Sequence, residues 1–118
     1  MSRHDQIDYI EFHANDLDAV RNFYSRVFNW SVTDYGPAYT SFQDGRIAGG
    51  FARSPVSESP SPLPGPLVVI FVDDLHATHS LITQNGGAIT KEIFSFPGGS
   101  RFHFTDPSGN ELAAWHED

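Results

Sequence analysis

The stretch YIEFHANDLDAV at residues 9–20 recurs in altered form as LVVIFVDDLHAT at residues 67–78. Each consists of an extended segment, an acidic residue followed by leucine, and the start of a helical pattern. Asp16 in the first copy, and Asp73 or Asp74 in the second, stand where a carboxylate can accept hydrogen bonds from the free amides of a helix N-terminus. Because the two copies lie almost half a chain apart, they predict two modules with the same order of elements.

The segment SPVSESPSPLPGP, residues 54–66, separates the two copies. Its five prolines exclude a helix interior or a central strand, so it is interpreted as a linker on the surface. We therefore predict a single domain of 118 residues, with module one at residues 5–53 and module two at residues 67–118.

Hydrophobic periodicity and turn residues predict the same β-α-β-β-β order in both modules. In module one, a strand at residues 7–14 precedes a helix with apolar residues at helical spacing, and SVTDY, YTSFQD and RIAGGFA follow as short strands. In module two, a strand at residues 67–72 precedes a helix that reaches Gln84 and ends at NGG. The strands AITKEIF, SRFHFT and ELAAWH complete it. The fold class is therefore α+β.

Composition excludes several classes of function. The formal charge of −8 argues against nucleic acid as a partner, because phosphate binding requires a basic surface. No apolar run approaches the roughly 20 residues of a membrane helix, so no membrane partner is expected. The absence of cysteine excludes disulfides, thiolate nucleophiles and cysteine zinc sites. It also fits the cytoplasm, and the segment MSRHDQIDYIEF contains no apolar core of a cleaved signal.

Polar side chains share one face of three predicted strands, because side chains two residues apart on a strand point the same way. Those of the first strand are Tyr9, Glu11 and His13. The stretch RFHFTDPSGNELAAW at residues 101–115 forms two strands around a Gly/Pro turn and adds Arg101, His103, Glu111 and Ala113. A histidine and a glutamate there could be metal ligands, a general acid or base, or cavity lining. Arg101 could bind a carboxylate or pair with Glu111 across the strands.

The chain resembles the vicinal oxygen chelate superfamily, which includes glyoxalase I, bleomycin-resistance proteins, fosfomycin-modifying enzymes and extradiol dioxygenases. The similarity is carried by NDLDAVRNFYSRVFNW at residues 15–30, NGGAI at 85–89 and FTDPSGNELAAW at 104–115. It implies paired modules whose sheets curl around a cleft, which a second subunit completes. It also implies a small-molecule ligand, a homodimer and a cleft lined by Tyr9, His13, Leu67, Val69, Arg101 and Ala113.

In enzyme members of the superfamily, a divalent metal is held by His, Gln or Glu from the first strand of each module and from the last strand. The matching positions here are Tyr9, Leu67 and Ala113, which are not usual ligands. A shift of two residues brings Glu11 and Glu111 to the first and last positions, and a site that also includes His13 and His103 stays open. The strand LVVIFV offers no ligand in any register. We therefore expect no cofactor, with a divalent metal as the alternative.

Two functions follow from this resemblance. The first is an enzyme related to lactoylglutathione lyase, a lyase or isomerase in which Glu11, His103 or Glu111 is the base. The second is a metal-free protein that sequesters a small molecule without catalysis, in the manner of bleomycin-resistance proteins. The missing metal ligands, the acidic charge and the many aromatic residues favour the second, while the enzymes of the superfamily favour the first.

Overall fold

The computed structural model describes residues 4–53 and 63–118 of the chain. In module one the elements are β1 (Tyr9–Ala14), α1 (Leu17–Phe28), β2 (Ser31–Asp34), β3 (Tyr39–Gln43) and β4 (Ala48–Arg53). In module two they are β5 (Leu63–Phe71), α2 (Leu75–Gln84), β6 (Ala88–Phe96), β7 (Gly99–Thr105) and β8 (Asn110–Glu117). Both modules have the predicted β-α-β-β-β order.

Each module builds its own four-stranded mixed sheet. The strand orders are β1-β4-β3-β2 and β5-β8-β7-β6, so the first strand of each module pairs in parallel with the last. The remaining neighbours in both sheets are antiparallel. Neither sheet closes into a barrel, which confirms the predicted α+β fold of two modules with unclosed sheets.

The helix starts agree with the sequence. The Asp16 side chain accepts a hydrogen bond from the Ala19 amide at 3.2 Å, and Asp74 rather than Asp73 caps α2 through the Ala77 amide at 3.0 Å. Carboxylates at these positions satisfy amides that have no partner within the helix.

The main difference from the predicted elements is the start of the second module. Residues 54–62 of the predicted linker lie outside the described residues, and its last four residues belong to β5. A strand tolerates prolines there because β5 is at the edge of its sheet and pairs only with β8. The pairing of β5 and β8 shifts register between Leu63 and Val68, next to these prolines.

The hydrophobic core is largely aromatic and joins the two modules. On the helix side of the first sheet, the Tyr24 ring lies 4.7 Å from Trp30 and 5.0 Å from Phe51, between ring centroids. From α1, Phe23 reaches Phe104 of β7 at 6.1 Å. These rings are fully or almost fully buried, so α1 belongs to a core that both sheets share.

A turn of module two, residues 106–110, binds module one through several hydrogen bonds. The Tyr24 hydroxyl donates to Asp106 Oδ2 at 2.8 Å, and Asn110 Nδ2 donates to the His13 carbonyl at 2.7 Å. Ser108 Oγ accepts from the Asn15 amide at 3.1 Å. The 106–110 turn therefore fixes the position of β1 relative to β8.

Two neighbouring glycines of β4 are expected to respond differently to alanine. A Cβ at Gly49 would overlap the buried Phe42 ring and the backbone carbonyl of Ile10, neither of which can move away. A Cβ at Gly50 would meet only the tip of the Tyr39 side chain. We expect Gly49→Ala to lower the free energy of unfolding by about 2–3 kcal/mol, the range for overpacking a core, and Gly50→Ala to lower it by less than about 1 kcal/mol.

Urea denaturation of both variants measures this difference, and each glycine is the matched control for the other. Equal losses of stability would contradict the assignment of Gly49 to the helix side of the sheet and Gly50 to the open side.

Candidate functional site

The side of each sheet that faces away from the helices carries the polar residues predicted from the sequence. Along β1, Tyr9, Glu11 and His13 point to one side of the sheet and are exposed. The residues between and after them, Ile10, Phe12 and Ala14, point to the other side and are more buried. On the second sheet, the register places Val69, Ala113, His103 and Lys91 in one row across β5, β8, β7 and β6. We call these two surfaces the first open face and the second open face.

His103 is a largely enclosed side chain of the second open face, with 15% of its side chain exposed. Nδ1 lies 3.7 Å from Glu111 Oε2, too far for a hydrogen bond but close enough for electrostatic attraction. Nε2 is buried and has no hydrogen-bond partner within the described part of the chain. Burial lowers the pKa of His103, and the positive charges of Arg101 and Lys91 lower it further, while Glu111 opposes them.

Arg101 lies one row from His103 and is half-buried. Its guanidinium carbon is 5.5 Å from the Phe94 ring centroid and 5.7 Å from that of Phe96. Its Nε is buried without a hydrogen-bond partner among the described residues. The side chain is thus held by aromatic rings instead of a carboxylate.

Glu111 pairs with groups other than Arg101. The register places Glu111 opposite Thr105 and Arg101 opposite Trp115, two rows apart, so the suggested ion pair between Arg101 and Glu111 does not form. Glu111 instead accepts a hydrogen bond from the Thr90 hydroxyl at 3.0 Å and faces His103. This hydrogen bond holds the carboxylate on the Nδ1 side of the imidazole.

Aromatic rings border Arg101 and His103. Phe94 lies 5.9 Å from His103, and Trp115 lies 6.3 Å from Phe96 and 5.5 Å from Phe71, between ring centroids. Phe71 is 46% exposed and Val69 is 41% exposed, so this apolar surface is accessible. Ala113 is completely covered, and Leu67 is partly exposed on the neighbouring strand.

Several residues of this surface were not singled out from the sequence, among them Thr90, Lys91, Phe94 and Phe96. The pairing of β6 with β7 shifts register between Ile89 and Lys91 and again between Lys91 and Phe94. Such bulges interrupt the two-residue alternation by which a strand face is recognised. Only the aromatic spacing of Phe94 and Phe96, two residues apart, pointed to a shared face.

The first open face holds a hydrogen-bonded group of two phenols and a carboxylate. The Tyr39 hydroxyl donates to Glu11 Oε1 at 3.0 Å and is hydrogen-bonded to the Tyr9 hydroxyl. Desolvation and these two neighbours raise the pKa of Tyr39, so it stays a protonated donor. Gly50 leaves the space that the tip of Tyr39 occupies. Glu11 is thereby held in place by Tyr39, which the sequence did not indicate.

A cavity of about 280 Å³ lies between β1 of module one and β5 and β8 of module two. Glu11 and His13 line it from β1, and Glu111 lines it from β8. The structure therefore brings residues from both modules to one cavity, with His103 just beyond Glu111. The candidate residues that line it are Glu11, His13 and Glu111, and His103 contacts the cavity only through Glu111.

The metal positions of the resembled superfamily do not fit a metal in this chain. Tyr9 is hydrogen-bonded to Tyr39, and Leu67 and the covered Ala113 have no donor atom. Among residues 4–53 and 63–118, no group of three His, Asp or Glu side chains is placed to hold a metal ion. No catalytic step is therefore assigned to a metal at these positions.

Neither described helix is long and apolar enough to cross a membrane.

Two β-α-β-β-β modules with a shared core and two open sheet faces define a paired-module α+β protein. The family model of the Glyoxalase/Bleomycin resistance protein/Dioxygenase superfamily matches residues 6–114. The chain belongs to this superfamily. A search of curated proteins finds no match.

Solved structures share the fold at low sequence identity. A glyoxalase-related enzyme from Fulvimarina pelagi is 20% identical, with 96% of this chain and 88% of that chain covered and a TM-score of 0.78. A glyoxalase/bleomycin resistance protein/dioxygenase family enzyme from Burkholderia phytofirmans PsJN is 16% identical, with 95% and 100% covered and a TM-score of 0.80. A fosfomycin resistance protein from Mesorhizobium loti is 14% identical, with 97% and 93% covered and a TM-score of 0.76.

Proposed function

We propose that this protein binds a small oxygenated molecule on its second open face and transfers a proton on it, as a lyase or isomerase related to lactoylglutathione lyase would. The observation that carries this proposal is the environment of His103. One ring nitrogen lies 3.7 Å from the Glu111 carboxylate, and the other is buried and has no hydrogen-bond partner among the described residues. Only 15% of the side chain is exposed. We therefore propose His103 as the general base, with the Glu111 carboxylate on its Nδ1 side.

The proton transfer needs only groups that this chain supplies. Neutral His103 accepts a proton at Nε2 from the carbon next to a substrate carbonyl, and the electrons of that C–H bond form an enolate. Arg101 is one row away and stabilises the negative oxygen. Glu111 stabilises the imidazolium that forms at 3.7 Å. For an α-hydroxy carbonyl compound, the hydroxyl proton moves to the enolate oxygen and His103 returns its proton to the former carbonyl carbon, which completes an isomerisation. Where the next carbon bears a leaving group, the enolate electrons expel that group, which takes the proton from His103 and completes an elimination.

Hydrogen–deuterium exchange tests this activity directly. Phenylpyruvate and hydroxyacetone, two compounds with acidic C–H bonds next to a carbonyl, are incubated with the protein in D₂O and followed by proton NMR. We expect the protein to accelerate exchange of at least one compound over buffer. Buffer rates for both compounds would contradict proton transfer by His103.

Sequestration of a small molecule without catalysis is the second candidate function. The residues at the metal positions of the superfamily favour it. Tyr9, Leu67 and Ala113 offer no metal site, while Phe71, Phe94, Phe96 and Trp115 provide an aromatic surface for a ligand. In this case a ligand raises the melting temperature, since it binds only the native state, but exchange stays at the buffer rate. Glu11, which Tyr39 holds at the inter-module cavity, remains a further candidate for ligand contact in either function.

A homodimer in the cytoplasm also remains part of this proposal. Val69 and Phe71 are exposed on the edge strand β5, and exposed apolar side chains on an edge strand are a common feature of surfaces that another chain covers. Sedimentation velocity at micromolar concentration is expected to show a dimer, and a monomer would contradict this proposal.

A further inference from the structure

We infer that the ligand of the second open face carries a carboxylate, bound by Arg101, next to an apolar or aromatic body. This inference rests on the proposed function for the location of the site and adds the chemical class of the ligand. It starts from a contrast between the chain as a whole, which has a formal charge of −8, and the surroundings of His103, where the positive charges of Arg101 and Lys91 outnumber the carboxylate of Glu111.

The first argument is the missing partner of Arg101. This guanidinium forms no ion pair or hydrogen bond with any described residue, although its Nε is buried. Burying part of a charged group without a partner is unfavourable, and in an acidic chain carboxylates are abundant. Glu117 lies one row from Arg101 in the strand register but is exposed and forms no ion pair with it, and Glu111, two rows away, is held by Thr90 and faces His103. Neither carboxylate is paired with Arg101.

The second argument is the orientation of Arg101. Contacts with the Phe94 and Phe96 rings, at 5.5 and 5.7 Å from the guanidinium carbon, restrict the side chain. A guanidinium held in this way presents a planar pair of N–H donors, which matches the two oxygens of a carboxylate. One planar pair of donors suits a single carboxylate group.

The third argument is the surface beside Arg101. Trp115 lies directly opposite Arg101 in the strand pairing, and Phe96 and Phe71 lie within 6.3 and 5.5 Å of its ring. An apolar body attached to the carboxylate would cover these rings and remove them from water. His103 lies in the next row, so a carbon adjacent to the carboxylate end of the ligand would lie near Nε2.

Calorimetric titration of three compounds with the same carbon skeleton tests this inference. They are 3-phenylpropanoate, 3-phenylpropanamide and 3-phenylpropylammonium, which carry a negative, a neutral and a positive head group. We expect the carboxylate to bind at least about tenfold more tightly than the amide, the value of a charge-assisted hydrogen bond of about 1.4 kcal/mol or more, and the ammonium to bind most weakly. Equal affinities, or no binding of the carboxylate at millimolar concentration, would overturn the inference.

Variants of Arg101 separate its role from general electrostatics. Arg101→Gln is expected to reduce the affinity for the carboxylate to that for the amide, and Arg101→Lys to restore only part of it, because lysine lacks the planar pair of donors. Arg26→Gln, at an exposed position in the last turn of α1, removes the same charge elsewhere and should leave the affinity unchanged.

The exchange assay keeps this inference distinct from the proposed function. Preference for the carboxylate without accelerated exchange would contradict proton transfer and leave the ligand class intact. Accelerated exchange of neutral hydroxyacetone, without preference for the carboxylate in the titrations, would contradict the ligand class and leave proton transfer intact.

Discussion

Asp106→Ala is expected to lower the free energy of unfolding by at least about 3 kcal/mol, because four donors lose their acceptor and a buried donor left unpaired costs about 1–3 kcal/mol. Oδ1 of Asp106 accepts from the Ser108 and Asn110 amides at 2.9 and 3.0 Å. Oδ2 accepts from the Tyr24 hydroxyl at 2.8 Å and from Asn110 Nδ2 at 2.9 Å. Burial raises the pKa of Asp106, and these hydrogen bonds oppose that rise.

Chemical denaturation monitored by tryptophan fluorescence measures this loss. Tyr24→Phe removes only the hydrogen bond from Tyr24 to Asp106 and should cost less, about 1–2 kcal/mol. Asp73→Ala, an exposed position that caps neither helix, is the matched control and should change stability by no more than about 0.5 kcal/mol. If Asp106→Ala were as stable as Asp73→Ala, the 106–110 turn would not hold the modules together.

His103→Gln is expected to lower the rate of deuterium exchange by about 10²–10⁴-fold, the usual contribution of a general base. Glutamine approximates the size of histidine and keeps a polar side chain, but it cannot accept a proton at neutral pH. Affinity for 3-phenylpropanoate should change little, because Arg101 supplies the main contact. His76→Gln, at an exposed position of α2, is the matched control and should catalyse exchange of the compound at the same rate as the unmodified protein. An unchanged rate in His103→Gln would exclude it as the base.

The pH profile provides a second measurement of the same residue. Only the neutral imidazole accepts a proton, so the rate falls as the pH drops through the pKa of His103. Burial lowers this pKa below the ordinary value of 6.5, and the charges of Arg101 and Lys91 lower it further. The acid limb of the profile should therefore lie below pH 6.5. Glu111→Gln removes the group that opposes this shift and is expected to move the acid limb to still lower pH.

Much of the fold could be predicted from local patterns. The repeat of strand, acidic residue, leucine and helix predicted both modules because helix capping and hydrophobic periodicity act over a few residues. Asp16 caps α1 as expected, and α2 ends at Gln84 as expected. The choice between Asp73 and Asp74 was open, since either can cap a helix and only the backbone geometry selects Asp74.

The candidate site was predictable only in part. Strand alternation indicated that Glu11 and His13 share a face, and that Arg101 and His103 share another. It could not indicate that Tyr39 holds Glu11 or that Thr90 holds Glu111, since these contacts join residues 28 and 21 positions apart. They depend on strand register, which two bulges in β6 alter.

The sequence by itself determined the order of the elements, the start of α1, the end of α2 and the superfamily, because each depends on residues close together in the chain. Tertiary structure alone decided the role of Asp106 and Asn110: they form a turn in module two but bind Tyr24 and the His13 carbonyl in module one. It also decided that Arg101 meets aromatic rings and Glu111 meets His103. The physical reason is that strand pairing and packing between modules select these partners from many of equal chemistry, and no local pattern records that selection.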